Sequence, residues 1–326
     1  MKHTNFHWPL HGVVLSLLCA APISATAADY PARQVRVVVP FPPGGGADTI
    51  SRTIFSKLSE AFGQQFIIDN RGGGSGTIGT AIAAKATPDG YTILHDATGH
   101  SINPSMFAKL PYDTARDFEP VFLAGVVPNL LVMHPSIKAA NVSELIALAK
   151  STKEGLNWAS SGTGSVQHMA LELFKVSAGI PLNHIPYKGG GPAAVDLISG
   201  QVQLSFISAP ATMPHIKSGR LRALAVTNAK RSTLLPELPT LSEAGLRGYE
   251  FEGWHGLCAP AATPRVIVDQ LNSEVTKIVR RPDVIAHLAE GGAEAIATTP
   301  EVFAAQLRTE IDKWAKLVKS AGVKME

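Results

Sequence analysis

Short runs of apolar, mostly β-branched residues alternate along this chain with longer stretches in which apolar residues recur every third or fourth position. The run Val35–Val39 predicts a buried strand, and the apolar residues spaced by four from Ile50 to Phe62 predict a helix that Gly63 stops. Gly or Pro marks most of the joints between such units. This alternation indicates an α/β fold with mostly parallel sheets.

The alternation occurs twice, as two sets of strands and helices. The predicted strands are 35–39, 66–69 and 91–95 in the first set and 156–160, 184–187, 203–208 and 221–227 in the second, and the predicted helices include 166–178, 265–281 and 301–319. Because about 300 residues exceed what one compact core usually holds, we expect two lobes. The first comprises 28–128 and 254–326, and the second comprises 129–253. Two chain crossings between them would form a hinge.

Three residues mark predicted helix starts, two of them as caps and one as a first helical residue. Asp48 stands where an N-cap belongs, and Thr299 precedes Pro300 at the start of the last helix. Pro192 occupies the favoured first position of another helix. These residues define where we expect the helices to begin.

The segment 1–27 has the order of a secretory signal peptide. Lys2 is its only charged side chain, a short apolar run follows, and a small-residue stretch ends at Ala27. We therefore expect cleavage near Ala27 and a soluble, exported protein. Removal of Cys19 would leave Cys258 as the only thiol, so the mature chain would form no internal disulfide.

Composition and motifs weigh against several other function classes. The net charge is only +3 and no Lys/Arg block occurs, which argues against nucleic acid as a partner. The chain contains neither a P-loop nor a G-x-S-x-G nucleophile elbow. His95 and His100 beside Asp96 fit no common zinc spacing. We therefore expect no metal, no cofactor and no catalytic activity.

One structural unit recurs in both halves: a strand, then a loop of Gly, Ser and Thr, then the start of a helix. The loops are 44–48 in the first set and 161–165 and 189–191 in the second. A helix N-terminus offers unpaired N–H groups and the positive end of its dipole, so each junction can hold an anion. Loops facing each other across a crevice would clamp a carboxylate. Glycine loops also serve simply as tight turns, and that alternative stays open.

A competing motif follows the second predicted strand. Gly74, Gly76 and Gly79 have the spacing of the dinucleotide fingerprint, and Asp96 ends the next strand, where that motif needs an acid. An NAD-dependent oxidoreductase that uses the loop 74–79 is therefore the alternative function. Export from the cytoplasm and the position of the motif after the second rather than the first strand count against it.

Seven short segments, in order across almost the whole mature chain, carry a combined signature. They are Val-Pro-Phe-Pro-Pro-Gly-Gly-Gly-Ala-Asp at 39–48, Asn-Arg-Gly-Gly-Gly-Ser-Gly at 70–76, Pro-Asp-Gly-Tyr-Thr at 88–92, Ser-Gly-Thr-Gly-Ser at 161–165, Pro-Tyr-Lys-Gly-Gly at 186–190, Gly-Gln-Val at 200–202 and Leu-Pro-Thr at 238–240. Together they resemble the Bug family, the extracytoplasmic solute receptors of tripartite tricarboxylate transporters. One departure is Gln203, where the family usually has an acid.

The resemblance implies a type II periplasmic binding-protein fold, with two α/β lobes, a hinge and a ligand cleft between them. By similarity, backbone groups and bridging water of the loops 41–48 and 161–165 grip a small carboxylate. It also implies a periplasmic location, delivery of the ligand to integral membrane permease subunits, and a monomer. The residues expected to bind the ligand are Phe41, Pro43, Gly44, Gly45, Ala47, Asp48, Thr98, Ser161, Thr163, Ser165, Tyr187, Gly189, Gly190 and Ser208. The aromatic rings of Phe41, Tyr187 and Trp254 would wall the pocket or, equally, pack in the core.

Overall fold

The computed structural model describes residues 30–44, 46–232, 235–290 and 293–321. The expected signal peptide, 1–27, lies outside these ranges. Within them, no helix combines the length and the apolar character needed to cross a lipid bilayer.

Two sheets organise the described residues. The first sheet contains β1 (Val35–Val39), β2 (Phe66–Asn70), β3 (Thr92–Ala97), β4 (Phe118–Val127), β10 (Gly253–Pro260) and β11 (Glu294–Ala295), and the second contains β5 (Asn129–Met133), β6 (Leu156–Ser160), β7 (Leu182–Pro186), β8 (Leu204–Ser208) and β9 (Arg222–Val226). The helices are α1 (Gly46–Phe62), α2 (Thr77–Ala84), α3 (Gly99–Met106), α4 (Val142–Ser151), α5 (Val166–Ala178), α6 (Gly190–Ser199), α7 (Ala209–Lys217), α8 (Arg265–Val279), α9 (Pro282–Glu290) and α10 (Pro300–Ala321).

The chain passes between the sheets twice. The strand order is β11-β4-β10-β3-β1-β2 in the first sheet and β7-β6-β8-β5-β9 in the second. The first crossing lies between β4 and β5, and the return lies between β9 and β10. The lobe boundaries that we expect from the sequence stay a prediction.

Both sheets are mixed, so the expectation of mostly parallel sheets is wrong. β1 pairs in parallel with β2 and β3, and β6 pairs in parallel with β7 and β8. In contrast, β10 runs antiparallel to β3 and β4, and β5 runs antiparallel to β8 and β9. The antiparallel strands β4, β5 and β10 adjoin the crossings. At β5 and at β10 the chain arrives from the other sheet and not through a helix that returns it to the same edge, so a parallel pairing is not imposed.

Two of the predicted helix starts are wrong. α1 begins at Gly46, so Asp48 lies within its first turn and is not its N-cap. α6 begins at Gly190, which makes Pro192 its third residue. In both cases a glycine without side-chain constraints allows the helix to begin earlier than the capping pattern predicts. Thr299 caps α10 as predicted, because its Oγ1 accepts a hydrogen bond from Val302 N at 3.3 Å.

The last helix joins the cores of the two sheets. Phe303 of α10 lies in a core of the first sheet. Farther along α10, Trp314 lies in the core of the second sheet, where the rings of Trp158 and Phe206 have centroids 4.7 Å apart. Trp314 also packs on Phe251 at a centroid distance of 5.2 Å. From the sequence we expected this helix to belong to the first lobe alone. In the structure, α10 contributes side chains to the cores of both sheets.

Candidate functional site

The loop before α1 is held by the carboxylate of Asp48. Its Oδ2 accepts hydrogen bonds from Gly44 N at 3.0 Å and from Arg52 Nε at 2.9 Å. Its Oδ1 accepts a hydrogen bond from Asn70 Nδ2 at 3.1 Å. Burial raises the pKa of Asp48, but these hydrogen bonds outweigh burial and lower the pKa overall. Because Asp48 is buried and both of its oxygens bond to the loop and its surroundings, its role is to shape the loop.

The other predicted residues of this loop differ in exposure. Pro43 and Gly44 are exposed, Phe41 is half-buried against the first-sheet core, and Ala47 is buried. Gly45 lies outside the described residues. The exposed part of the loop is therefore the part that can meet a ligand or the other sheet.

Two stacked histidines hold the second-sheet loop 161–165. His168 Nδ1 accepts a hydrogen bond from Gly164 N at 3.0 Å, and its ring stacks on that of His184 with centroids 4.0 Å apart. Ser165 caps α5, because its Oγ accepts a hydrogen bond from His168 N at 3.3 Å. Burial lowers the pKa of His184 to about 4. The loop 161–165 is thus held by side chains of α5, which follows it, and of the neighbouring strand β7.

The segment after β7 is tied to the same loop. Gly189 N donates a hydrogen bond to Ser161 O at 3.1 Å, and Gly190, which is exposed, begins α6. The Tyr187 hydroxyl donates to Asp196 Oδ2 at 2.7 Å. Burial, and then this carboxylate, raise the pKa of Tyr187 to about 12. The ring of Tyr187 can still border a ligand, whereas its hydroxyl already has a partner.

The loops of the two sheets approach each other closely. Ser75 Oγ, on the first-sheet side, donates a hydrogen bond to Thr163 O, on the second-sheet side, at 3.0 Å. A methyl carbon built on Gly189 would lie 3.9 Å from Pro42 Cγ. We call the space that these facing loops enclose the cleft.

At one point of the cleft, groups from three segments surround a small volume. A methyl carbon built on Gly46 would lie 3.5 Å from Ser208 Oγ and 3.9 Å from His255 Nε2. Gly46 begins α1, Ser208 is the N-cap of α7, and His255 lies on β10. The Ser208 hydroxyl makes no capping hydrogen bond. Two helix N-termini from opposite sheets therefore meet beside an imidazole ring.

Two residues that the sequence suggested for the pocket are buried: Thr98 beside the return crossing, and Trp254 in a core. Thr98 Oγ1 accepts a hydrogen bond from Trp254 N at 2.8 Å and donates to Glu252 O at 3.4 Å, so this hydroxyl joins β10 to the start of α3. Trp254 is buried, its Nε1 donates to Glu310 Oε2 at 2.6 Å, and its ring packs edge-on against Phe303. Of the two alternatives for Trp254, the structure shows core packing.

The last glycine and the acid of the dinucleotide fingerprint both have structural roles in this protein. A methyl carbon built on Gly79 would lie 2.7 Å from Arg71 O and 2.8 Å from Pro40 Cα, so only glycine allows α2 to pack this closely. Asp96 is buried, and its Oδ2 accepts a hydrogen bond from Thr80 Oγ1 at 2.9 Å. In a dinucleotide site this acid would bind a ribose hydroxyl, whereas here its carboxylate is bonded to a side chain of α2.

Sequence reasoning missed the positions of Ser75 and His255. The available signal for His255 was a polar residue in a strand, Gly253–Pro260, that otherwise carries glycine and apolar side chains. No comparable signal marks Ser75, because its role depends on a loop 88 positions away. The described residues contain no group of three or more His, Cys, Asp or Glu arranged to hold a metal ion.

A family model and several relatives match most of the chain. The family model described as tripartite tricarboxylate transporter family receptor matches residues 50–323. Protein BugT of Bordetella pertussis is 37% identical to this chain over 309 residues, which cover 94% of each protein.

Two solved structures of Rhodopseudomonas palustris proteins resemble the chain over nearly its whole length. Rpa4515 with adipate is 40% identical, with a TM-score of 0.86, and the match covers 91% of this chain and 99% of Rpa4515. MatC (Rpa3494) with bound malate is 33% identical, with a TM-score of 0.83, and the match covers 89% of this chain and 100% of MatC. The expected α/β fold of periplasmic binding proteins is confirmed.

Proposed function

The chain belongs to the tripartite tricarboxylate transporter family of receptors, and we propose that it captures a small carboxylate in the cleft and delivers it to an integral membrane permease. The receptor role follows from the family. The choice of a carboxylate is supported by the geometry of the cleft and by the two relatives whose structures contain adipate and malate, which are both dicarboxylates.

The main support for a carboxylate ligand is that two helix N-termini meet at Gly46 and Ser208. A helix N-terminus stabilises a nearby anion by about 0.3–1 kcal/mol at the surface and by up to about 2 kcal/mol when partly buried. Gly46 has no side chain, so an anionic oxygen can approach the N–H groups of the first turn of α1. The Ser208 hydroxyl, which is not used for capping, adds a donor from the second sheet.

A ligand at this point contacts both sheets at once. A ligand shifts a conformational equilibrium only by its difference in affinity for the two states. Contacts with Gly46 on one side and Ser208 on the other exist together only when the loops face each other as they do here. Binding would therefore favour the closed arrangement, which the Ser75–Thr163 hydrogen bond also supports.

The alternative from the sequence, an NAD-dependent oxidoreductase, has no comparable support. It requires Asp96 to reach a ribose, yet this carboxylate is buried and accepts a hydrogen bond from Thr80. It also requires the second glycine of the motif, Gly76, to open the backbone to a pyrophosphate, whereas Gly76 is buried and a methyl carbon built on it would lie 3.7 Å from both Phe41 Cζ and Pro40 Cβ.

We infer further that the receptor acts in the periplasm after removal of 1–27. The order of charged, apolar and small residues before Ala27 supports export. Delivery to permease subunits is a prediction that rests on the family. The monomeric state stays a prediction from the sequence resemblance.

Isothermal titration calorimetry of the protein without residues 1–27 tests the proposal. The ligands are adipate, malate, citrate and benzoate, with adipamide as a neutral control of matched length. We expect one-to-one binding of at least one carboxylate and no binding of adipamide. Failure of all four carboxylates to bind would contradict the proposal, and so would binding of adipamide as tight as that of adipate.

A further inference from the structure

His255 is enclosed in a way that packing alone does not explain. The residue is only 8% exposed, and its Nδ1 has no hydrogen-bond partner within the part of the chain that the structure describes. Most buried polar groups in proteins have a partner, and one without a partner costs about 1–3 kcal/mol. An apolar residue would suit this strand better unless the imidazole has another role.

The ring of His255 lies between a buried histidine and the cleft. Behind it, the ring of His95 has its centroid 5.6 Å away, and His95 Nδ1 is hydrogen-bonded to Ser51 Oγ. In front of it, Nε2 is the atom that a methyl carbon built on Gly46 would approach to 3.9 Å, and Ser208 Oγ borders the same space. One ring nitrogen is therefore enclosed and the other faces the N-terminus of α1.

We propose that His255 is a specificity-determining residue of the cleft, whose Nε2–H donates a hydrogen bond to an oxygen of the ligand carboxylate held at the N-terminus of α1. This inference rests on the proposed function and adds a side-chain donor to a site otherwise made of backbone groups and a hydroxyl.

The charge state of His255 agrees with a donor role. Burial lowers the pKa of His255 to about 4, so the ring is neutral at pH 7 and carries one N–H. An ionised carboxylate only accepts hydrogen bonds and therefore selects the tautomer with its proton on Nε2. Gly46 N–H, Ser208 Oγ–H and His255 Nε2–H then converge as three donors. A carboxylate satisfies all three, whereas an amide would direct an N–H against one of them.

Titration of two variants with the carboxylate that binds the unaltered protein most tightly, selected from adipate, malate, citrate and benzoate, tests this role. His255→Phe keeps a flat ring of similar size but removes the donor, and we expect its affinity to fall at least tenfold. His255→Gln keeps an N–H at similar reach, and we expect it to bind more tightly than His255→Phe. His287→Phe, the same change at an exposed histidine of α9, is the matched control and should bind normally. Full affinity of His255→Phe would overturn the inference.

A second measurement does not depend on folding of the Phe variant. In protein with ¹⁵N-labelled histidine, the Nε2 resonance of His255 should move on saturation with that carboxylate and should keep the shift of a protonated nitrogen. An unmoved resonance in the saturated protein would overturn the role of His255 and leave the proposed function intact. Absence of carboxylate binding by the unaltered protein would instead overturn both.

Discussion

The hydrogen bond from Ser75 Oγ to Thr163 O connects a first-sheet loop to a second-sheet loop across the cleft, and its removal should weaken ligand binding. The bond is exposed, so we assign it the lower part of the usual range, about 0.5–1 kcal/mol. If it forms only when the cleft is closed, Ser75→Ala loses that energy from the closed state. The dissociation constant should then rise about two- to fivefold.

The backbone of Ser75 allows a second variant to separate closure from stability. Ser75 has φ 55° and ψ 35°, a left-handed conformation that costs a residue with a Cβ about 1 kcal/mol and costs glycine almost nothing. Ser75→Gly also loses the hydrogen bond but relieves this strain. Both variants should therefore lose the same affinity, whereas Ser75→Gly should be more stable to unfolding than Ser75→Ala by about 1 kcal/mol.

Calorimetric titration and thermal denaturation of both variants measure these quantities. Ser56→Ala is the control, because the Ser56 hydroxyl donates only to Thr53 O on the exposed side of α1. Unchanged affinity in both Ser75 variants would refute the role of this bond in closure. Affinities that differ between Ala and Gly would show that backbone strain, and not the hydroxyl, affects binding.

Three further predictions concern the loop anchor, the packing glycine and the histidines. Asp48→Ala removes the acceptor of three hydrogen bonds, so the free energy of unfolding should fall by about 1–3 kcal/mol and affinity should weaken; unchanged melting and binding would count against the anchor. Gly79→Ala should cost about 1–3 kcal/mol in chemical denaturation, whereas Gly191→Ala, whose added carbon would meet no atom within 4 Å beyond its chain neighbours and its own helix backbone, should be neutral or slightly stabilising; equal effects would be inconsistent with the packing. The pKa values of His184 and His255 are about 4 in the folded chain against an ordinary 6.5, so the unfolded chain binds more protons in this interval. Stability should therefore fall as the pH drops from about 6.5 to about 4, and a melting temperature that is flat over this interval would contradict the burial of these rings.

Local sequence signals predicted elements well where a strand or helix is delimited by its own residues. Leu156–Ser160 and Val166–Ala178 have the predicted bounds, because Ser165 caps the helix and Gly179 ends it in the left-handed conformation. The direction of β10 could not be predicted, because it depends on which sheet the chain enters after the crossing. α7 was also missed, since Pro214 inside it argues against a helix.

The candidate site was predictable in its parts but not in its assembly. Glycine loops after strands indicated where backbone N–H groups would be free, and the structure brings Thr163 and Gly189 close to the first-sheet loops. The meeting of Gly46, Ser208 and His255 could not be predicted, because these residues are far apart in the sequence and only the strand order brings them together. Sequence patterns indicate where a helix or strand begins and which of its sides is apolar. The shape of a cleft depends on how the ends of different elements are placed relative to each other.

The proposed function requires an anion to lie against the first turn of α1, and Gly46→Ala tests this requirement. The added methyl would lie 3.5 Å from Ser208 Oγ, an ordinary contact, and replacement of glycine by alanine in a helix that tolerates it stabilises a protein by about 0.4–1 kcal/mol. The methyl would nevertheless project toward Ser208 Oγ and His255 Nε2, where we propose that the carboxylate oxygen lies. In calorimetry with the carboxylate that the unaltered protein binds, we predict at least a tenfold loss of affinity together with an unchanged or higher melting temperature. Full affinity of Gly46→Ala would contradict an anion site at the N-terminus of α1.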